Sequence, residues 1–294
     1  MAKCVLGVIG GSGIYDLPGL EEARWEEIDS PWGRPSDAVR RGFYAGREVV
    51  FLPRHGRGHR VSPTDVNYRA NIDVLKRAGV TDLISLSACG SLKEELQPGT
   101  FVIVDQFIDR TFARYKSFFG EGCVAHVPFG DPVSPGLAGR LAAAARAAAP
   151  RVVRGGTYLV MEGPQFSTRA ESNLYRSWGC SVIGMTAMPE AKLAREAEIC
   201  YATLAMVTDY DCWHETHGAV DVPAVIRVLN ENAHHARDTV ANLLKALPEH
   251  HEPCPAGSDR ALEFALMTAP DRRDPALLAR LDAVAGRVLN RPAA

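Results

Sequence analysis

Apolar runs of strand length alternate with segments of helical pattern along most of the chain, and this alternation constrains the fold more than any other feature. The run Leu83-Ile-Ser-Leu-Ser87 lacks a regular polar alternation, which is typical of a parallel strand covered by helices on both faces. Further strands are predicted at 5–9, 101–104, 157–160, 180–184 and 201–207. Helical spacing of apolar residues follows at 137–149, 168–178, 189–198 and 222–247. The alternation predicts a single-domain, three-layer α/β fold with a mixed, mostly parallel twisted central sheet flanked by helices.

Local signals add a hairpin, one more helix and a long connection. Two short apolar runs joined around Gly46 predict the hairpin. Ser62 before Pro63 predicts a helix start, and Gly79 predicts the end of that helix. Residues 105–134 are predicted to be irregular, and a connection of that length usually serves as a lid or an interface.

The chain after the predicted helix at 222–247 differs in composition from the rest. It is rich in proline and histidine at first and then predicts one or two short helices ending near residue 288. We therefore predict a domain over residues 1–250 and a helical extension over 251–294 that packs on that domain or on a neighbouring subunit.

Charge and cysteine content limit the classes of partner. A formal net charge of −2 provides no electrostatic footprint for nucleic acid or an anionic membrane, so a small molecule is the expected ligand. No segment reaches the roughly 20 apolar residues of a membrane span, and the apolar N-terminus is expected to be a strand rather than a signal peptide. The 7 cysteines show no C-x-x-C spacing, which is typical of a reducing cytoplasm.

Small and polar residues occupy the carboxyl ends of several predicted strands. The strand ending at Ser87 continues into Ala-Cys-Gly90, and three others end at Glu162, Met185 and Asp209. Ligands of open α/β sheets bind at this edge. We therefore expect these four strand ends to converge on one site, with uncovered backbone N–H groups after Ser87.

Two glycine-rich segments are candidates for binding an anion. Residues 53–60 combine three arginines and two histidines directly after a strand. A solvated basic loop is the usual alternative, but guanidinium groups suit bidentate phosphate contact, so we favour an anion site. Residues 10–13 place the Ser12 hydroxyl in a glycine turn. A plain turn explains those residues equally well, and the glycines do not match the dinucleotide fingerprint.

Five motifs occur in the order found in 5'-methylthioadenosine phosphorylases, which form part of the trimeric branch of purine nucleoside phosphorylases. They are Arg54-His-Gly-Arg57, Ser87-Ala-Cys-Gly-Ser-Leu92, Glu162-Gly-Pro-Gln-Phe166, Met185-Thr186 and Thr208-Asp-Tyr-Asp-Cys-Trp213. The chain resembles this family over about residues 4 to 250. The resemblance implies the nucleoside phosphorylase type of fold, a cytoplasmic homotrimer, and phosphorolysis of 5'-methylthioadenosine to adenine and 5-methylthioribose 1-phosphate, a step of methionine and purine salvage. It implies inorganic phosphate as co-substrate and no organic cofactor or metal.

The resemblance also implies roles for individual residues. Phosphate would be bound by Ser12, Arg54, His55, Ser87, Ala88 and Thr186. The nucleoside would be contacted by Cys89, Gly90, Phe166, Met185, Asp209, Tyr210 and Asp211, with Phe166 stacked on the purine. Substrate specificity would depend on Ser167 and Val222. The 5' substituent would lie near His59, Val222 and, from a neighbouring subunit, His126.

The chemistry of phosphorolysis agrees with these residue types. Cleavage of an N-glycosidic bond leaves positive charge on the sugar and negative charge on the purine, so an anion below the ribose and a proton donor at N7 are required. Asp209 is the candidate catalytic residue, because a desolvated carboxyl can hold a proton at neutral pH. Asp211 would accept a hydrogen bond from the adenine amino group. The alternative for this Asp-Tyr-Asp segment is a polar turn.

Other functions remain open at this level. A phosphorylase for 6-oxopurine nucleosides (inosine, guanosine, methylthioinosine) would prefer an amide in place of Asp209. A purine nucleoside phosphorylase of broad specificity, which also accepts adenosine, is a further alternative. A nucleosidase would use water, and a non-catalytic nucleotide-binding module would release no base. His214 and His217 are three residues apart, whereas the zincin pattern requires four, so they predict no metal site. The pairs at 234–235 and 250–251 predict none either, because adjacent side chains point apart.

Overall fold

A computed structural model of the chain describes residues 2–11, 14–214 and 222–290, without the side chains of residues 222 and 224. Its strands are β1 Leu6–Gly10, β2 Glu21–Glu26, β3 Val39–Tyr44, β4 Arg47–Pro53, β5 Asp82–Ser91, β6 Phe101–Val104, β7 Gln106–Asp109, β8 Val152–Arg154, β9 Thr157–Val160, β10 Val182–Gly184 and β11 Cys200–Asp209. Its α-helices are α1 Tyr68–Arg77, α2 Pro135–Arg146, α3 Arg169–Ser177, α4 Glu190–Glu196, α5 Val222–Ala246, α6 Pro275–Arg280 and α7 Asp282–Leu289. Single 3₁₀ turns occur at Ser258–Arg260 and Pro270–Arg272.

All the described strands form one mixed sheet, centred on β5. Strands β1 and β11 pair with β5 in parallel, and the last residues of β5 pair antiparallel with β10. The order β2-β3-β4-β1-β5-β10-β9-β7 forms the main path, and β11, β6 and β8 form a branch from β5. Parallel pairings outnumber antiparallel ones, so the predicted mixed, mostly parallel sheet is confirmed.

Two apolar cores lie on opposite faces of this sheet. Successive side chains of β5 alternate between them, with Leu83 in one core and Ile84 in the other. The first core includes Leu75 of α1 and residues of α4 and α7, and the second includes Leu141 of α2 and Leu244 of α5. The sheet is therefore the middle of three layers, as the buried strand patterns predicted.

Several predicted boundaries are wrong, each for a local reason. Strand β5 continues to Ser91 rather than ending at Ser87, because its last residues pair with β11 on one side and Gly90 and Ser91 pair with β10 on the other. Helix α1 starts at Tyr68, where the Asn67 side chain accepts from the Ala70 N–H at 3.1 Å. The Ser62 hydroxyl instead closes a separate turn through Asp65.

The predicted irregular segment 105–134 contains β7, which pairs in parallel with β9. The edge strand β2 and the short strand β8 were not predicted, because neither has a continuous apolar run. The predicted hairpin is confirmed, since β3 and β4 pair antiparallel across residues 45 and 46. No helix among the described residues is long and apolar enough to cross a membrane.

The C-terminal segment packs against the domain of the same chain. Asp82 lies 2.8 Å from His251 Nδ1, and Arg287 forms ion pairs with Glu198 and Glu263. Leu281 is fully buried in the core that also contains α1 and α4. These contacts fix one face of α7 on the domain. The proposed division at residue 250 stays a prediction.

Candidate active site

A cavity of about 320 Å³ lies at the ends of β4, β9, β10 and β11 and along the last part of β5. The strand ends that were predicted to converge do so here. The predicted site residues that line it are Arg54, His55, His59, Ser87, Ala88, Cys89, Gly90, Phe166, Met185, Thr186, Asp209 and Asp211. Ser12 lies outside the described residues, as does the side chain of Val222.

Arg54 is buried and held by acceptors of the protein itself. Its Nε and Nη2 contact the carboxylate of Glu190, and Nη2 lies 2.7 Å from Ser85 Oγ. Nη1 donates to the Leu86 carbonyl at 3.0 Å, and Nη2 lies 3.3 Å from that of Ile9. Both ends of the guanidinium fork therefore have partners among the described residues.

This arrangement corrects one expectation about phosphate binding. A bidentate contact needs two parallel N–H groups that point at the ligand, and Glu190 already takes that role. Arg54 retains one Nη1 hydrogen beyond the one given to Leu86. It can therefore offer a single hydrogen bond and its positive charge to an anion in the cavity.

His55 is a buried neutral imidazole beside Arg54. Its Nδ1 donates to the Val61 carbonyl at 2.9 Å, which leaves Nε2 as an acceptor. Its ring stacks on His59 with centroids 4.3 Å apart. Burial, reinforced by the Arg54 charge, lowers the pKa of His55 to about 4. In the free protein it can accept a hydrogen bond from the P–OH group of hydrogen phosphate.

Replacing His55 with Gln is expected to reduce the pH dependence of stability. The unfolded imidazole titrates near pH 6.5, above the folded pKa of about 4, so the unfolded chain takes up a proton first as the pH falls. The contribution of neutral His55 to the free energy of unfolding is therefore complete above pH 6.5 and is lost as the pH falls towards 4. The loss is about 3 kcal/mol and should be absent in His55→Gln. Urea unfolding of both proteins across this window measures it, and identical pH slopes would contradict the assignment.

Two hydroxyls form a second polar group on the cavity wall, next to a tyrosine that was not predicted. Ser87 Oγ lies 2.7 Å from Thr186 Oγ1 and 2.8 Å from the hydroxyl of Tyr158. Ser87 and Thr186 line the cavity, and Tyr158 is completely buried behind them on β9. Ala88 is exposed beside Ser87. With Arg54, these hydroxyls give this end of the cavity donors and charge that suit an anion, and neutral His55 adds an acceptor for a P–OH group.

The opposite polar group consists of the carboxyls of Asp209 and Asp211, at the end of β11. The Asp211 N–H donates to Asp209 Oδ1 at 2.8 Å, and the Thr208 hydroxyl to Asp209 Oδ2 at 2.7 Å. Burial, with a contribution from the Asp211 charge, raises the pKa of Asp209. Burial likewise raises the pKa of Asp211, which accepts from Ser167 at 2.9 Å. A carboxyl with a raised pKa holds its proton more tightly and can donate it to a bound ligand.

Gly90 keeps this carboxyl pair accessible. A Cβ at this position would lie 3.0 Å from Asp209 Oδ1 and 3.2 Å from the Cβ of Asp211. Even an alanine at residue 90 would therefore require both aspartate side chains to shift by a few tenths of an ångström.

Arg114 joins the two loops that carry Phe166 and Met185, and it was also not predicted. Its fully buried guanidinium donates to the carbonyls of Met185 at 2.9 Å and Glu162 at 2.7 Å. The Glu162 carboxylate accepts from Arg114 Nε at 2.9 Å and from the N–H of residue 112 at 2.6 Å. Glu162 therefore orders the walls and does not line the cavity itself.

Three predicted residues lie outside the cavity wall. The hydroxyl of Tyr210 lies 3.2 Å from the Glu94 carbonyl, and its ring packs on Trp213, so it points away from the cavity. Ser167 does not line the cavity, but its hydroxyl donates to Asp211, which does. His126 lines a separate cavity of about 800 Å³ together with residues 256–265.

Helix α5 covers one side of the cavity with apolar side chains. Val225, Leu229 and Ala233 line it, one helical turn apart. The sequence indicated only Val222 from this helix. The helical spacing of apolar residues would have identified the other three.

Comparisons with known proteins agree with this geometry. Residues 5–247 match the family model of the phosphorylase superfamily. The chain is 69% identical over 289 residues to the S-methyl-5'-thioadenosine phosphorylase of Bradyrhizobium diazoefficiens, covering 98% of this chain and 99% of the relative. A methylthioadenosine phosphorylase from an antarctic soil metagenomic library has a TM-score of 0.90 at 44% identity, covering 97% and 99% of the two chains. The Schistosoma mansoni methylthioadenosine phosphorylase in complex with adenine has a TM-score of 0.78 at 36% identity, covering 83% and 91%.

Proposed function

The chain belongs to the phosphorylase superfamily, and from this premise we propose that it catalyses the phosphorolysis of 5'-methylthioadenosine to adenine and 5-methylthioribose 1-phosphate. It is a pentosyltransferase of the nucleoside phosphorylase type. The observation that carries the proposal is one cavity with two different polar ends. Arg54, His55 and two hydroxyls suit an anion at one end, and two protonatable carboxyls suit a purine at the other.

The mechanism follows from placing the nucleoside between these ends. Phosphate bound by Arg54, His55, Ser87 and Thr186 attacks the anomeric carbon, and its charge stabilises the positive ribose in the transition state. As the glycosidic bond breaks, the purine gains electron density. Asp209 donates a proton or a strong hydrogen bond to N7, and its raised pKa favours the protonated form that this role needs.

The substrate contacts are assigned on the same basis. Asp211 lines the cavity beside Asp209 and is assigned to accept from the 6-amino group, with its Oδ2 held by the Ser167 hydroxyl at 2.9 Å. Phe166 is half exposed, and its ring is proposed to stack on the purine. Met185 lies against the ribose, and His59 with the apolar face of α5 lies near the 5' methylthio group. Inorganic phosphate is the co-substrate, and the proposal includes no metal or organic cofactor.

The proposed assembly is a cytoplasmic homotrimer in which His126 reaches the site of a neighbouring subunit. His126 does not line the cavity of its own chain, and Phe264 beside it is 93% exposed. Phe112 and Tyr115 of the segment 105–134 are also exposed at 82% and 74%. We propose that the neighbouring subunits cover these aromatic side chains.

We expect the active protein to sediment at three times the chain mass of 31.9 kDa. His126→Ala is expected to raise KM for methylthioadenosine more than KM for adenosine, because only the former carries the methylthio group. A fully active monomer would contradict the assembly, and an equal change in both KM values would contradict the role of His126.

A nucleoside panel tests the proposed activity. Methylthioadenosine, adenosine, inosine and methylthioinosine are incubated with the protein, with and without phosphate, and the released base is identified. We expect adenine from the 6-amino substrates only when phosphate is present. Base release that is independent of phosphate would indicate a nucleosidase, and a preference for inosine would indicate a 6-oxopurine enzyme.

A further inference from the structure

Tyr158 lies directly behind the anion-binding end of the cavity. Its hydroxyl is 2.8 Å from Ser87 Oγ, which is in turn 2.7 Å from Thr186 Oγ1. Ser87 and Thr186 line the cavity, whereas Tyr158 is 0% exposed and does not. Burial raises the pKa of the Tyr158 hydroxyl well above its ordinary value, so the group keeps its hydrogen. Tyr158 can therefore act on a ligand only through its neighbours.

The directions of the three hydroxyl hydrogens determine which hydrogen-bond donors face an anion in the cavity. Each hydroxyl carries one hydrogen and can also accept. Because Ser87 Oγ and Thr186 Oγ1 lie 2.7 Å apart, one of their two hydrogens lies between them. If Ser87 donates to Tyr158, Thr186 must donate to Ser87, and the pair has no hydrogen left for the anion. If Tyr158 donates to Ser87, one hydrogen of the pair is free to point into the cavity, and the donation from Tyr158 strengthens it. The only other acceptor near Ser87 Oγ among the described residues is the Ala88 carbonyl, at the longer distance of 3.2 Å.

The chain keeps a specific space open for this tyrosine. Gly184, on the neighbouring strand β10, pairs with β9 and lines the cavity. A Cβ on Gly184 would lie 2.1 Å from the Tyr158 hydroxyl oxygen and 2.9 Å from Cζ. An alanine at residue 184 would therefore displace the hydroxyl from Ser87. The tyrosine and the glycine form a matched pair across β9 and β10.

We propose that Tyr158 is a positioning residue for phosphate. It donates to Ser87, so that the Ser87–Thr186 pair keeps one strengthened hydrogen for the co-substrate, and Gly184 leaves the space that the Tyr158 hydroxyl occupies. This role rests on the proposed phosphorolysis. It assigns to Tyr158 and Gly184 an effect on phosphate binding that is separate from nucleoside binding.

Tyr158→Phe tests the role with little change in volume. We expect KM for phosphate to rise on the order of tenfold, since a hydrogen bond to a charged ligand is weakened, while KM for methylthioadenosine changes less than twofold. Titration calorimetry of phosphate into the free protein should show the same loss. Tyr175→Phe is the control, because Tyr175 is a buried tyrosine on α3 away from the cavity, and it should leave both KM values unchanged.

Gly184→Ala provides a second test through coupling. As a single substitution, Gly184→Ala should weaken phosphate binding at least as much as Tyr158→Phe does. In the Tyr158→Phe background its effect on phosphate should be several-fold smaller, because the displaced hydroxyl is already absent. Equal effects in both backgrounds, or an unchanged KM for phosphate in Tyr158→Phe, would overturn the inference. Failure of the wild-type protein to release adenine with phosphate would instead reject the proposed function, whereas the calorimetric comparison would still test the role of Tyr158.

Discussion

Asp209→Asn is expected to lower kcat/KM for methylthioadenosine by about 10²-fold or more, the usual scale for losing a general acid. Asp209 is partly buried at the end of β11, and this desolvation raises its pKa. An amide has nearly the same shape but cannot transfer a proton to N7. It can pair with both O6 and N7 of a 6-oxopurine, so the activity on inosine relative to adenosine should increase. Loss of a buried partner penalises the old substrate more than it helps the new one, so a full inosine enzyme is not expected.

Measurement of kcat/KM for adenosine and inosine on both proteins tests this prediction. Asp211→Asn is the matched comparison, because it changes the adjacent carboxyl that is assigned to binding rather than proton transfer. It is expected to affect KM for the nucleoside more than kcat. An unchanged ratio of adenosine to inosine in Asp209→Asn would show that Asp209 does not contact the purine.

Arg54→Ala is expected to destabilise the fold by about 3–5 kcal/mol, the usual cost of leaving a buried charge without its partner. Glu190 is completely buried, and Arg54 contacts both of its carboxylate oxygens. The same variant should raise KM for phosphate more than KM for the nucleoside, because a cation leaves the anion end of the cavity. Urea unfolding measures the first effect, and steady-state kinetics measure the second. Arg57→Ala is the control: the Arg57 side chain in the ion pair with Asp37 is half exposed, so a much smaller loss of stability is expected.

A double variant separates the two roles of Arg54. Arg54→Met with Glu190→Gln removes both charges of this buried pair, so part of the lost stability should return. The raised KM for phosphate should persist, because the cation is still absent. Wild-type stability in Arg54→Ala would contradict the buried pair, and recovery of phosphate affinity in the double variant would contradict the electrostatic role.

The sequence predicted the layers and the place of the site because both depend on local patterns. Continuous apolar runs such as Leu83–Ser87 identify buried strands, and buried strands must lie between helices. The polar residues that follow them then meet at one edge. Strand β2, Glu21–Glu26, was missed because it is an exposed edge strand with one partner and little apolar pattern. The start of α1 was misplaced because Ser62 and Asn67 both provide capping signals, and tertiary packing selects the second.

The contacts inside the site could not be predicted because they join distant segments. Nothing near Arg54 indicates that its partner is Glu190, 136 residues later. The acceptors of Arg114 lie on the segments before and after β10. Tyr158 is one of several strand tyrosines in sequence terms, and its contact with Ser87 exists only because Gly184 leaves room for it.

The central claim is that this cavity transfers a pentosyl group to phosphate. Phosphorus NMR of a reaction with methylthioadenosine and inorganic phosphate tests it most directly. We predict that a sugar 1-phosphate ester appears in equal amounts to adenine while inorganic phosphate decreases. Adenine formed together with free methylthioribose, with inorganic phosphate unchanged, would contradict the account.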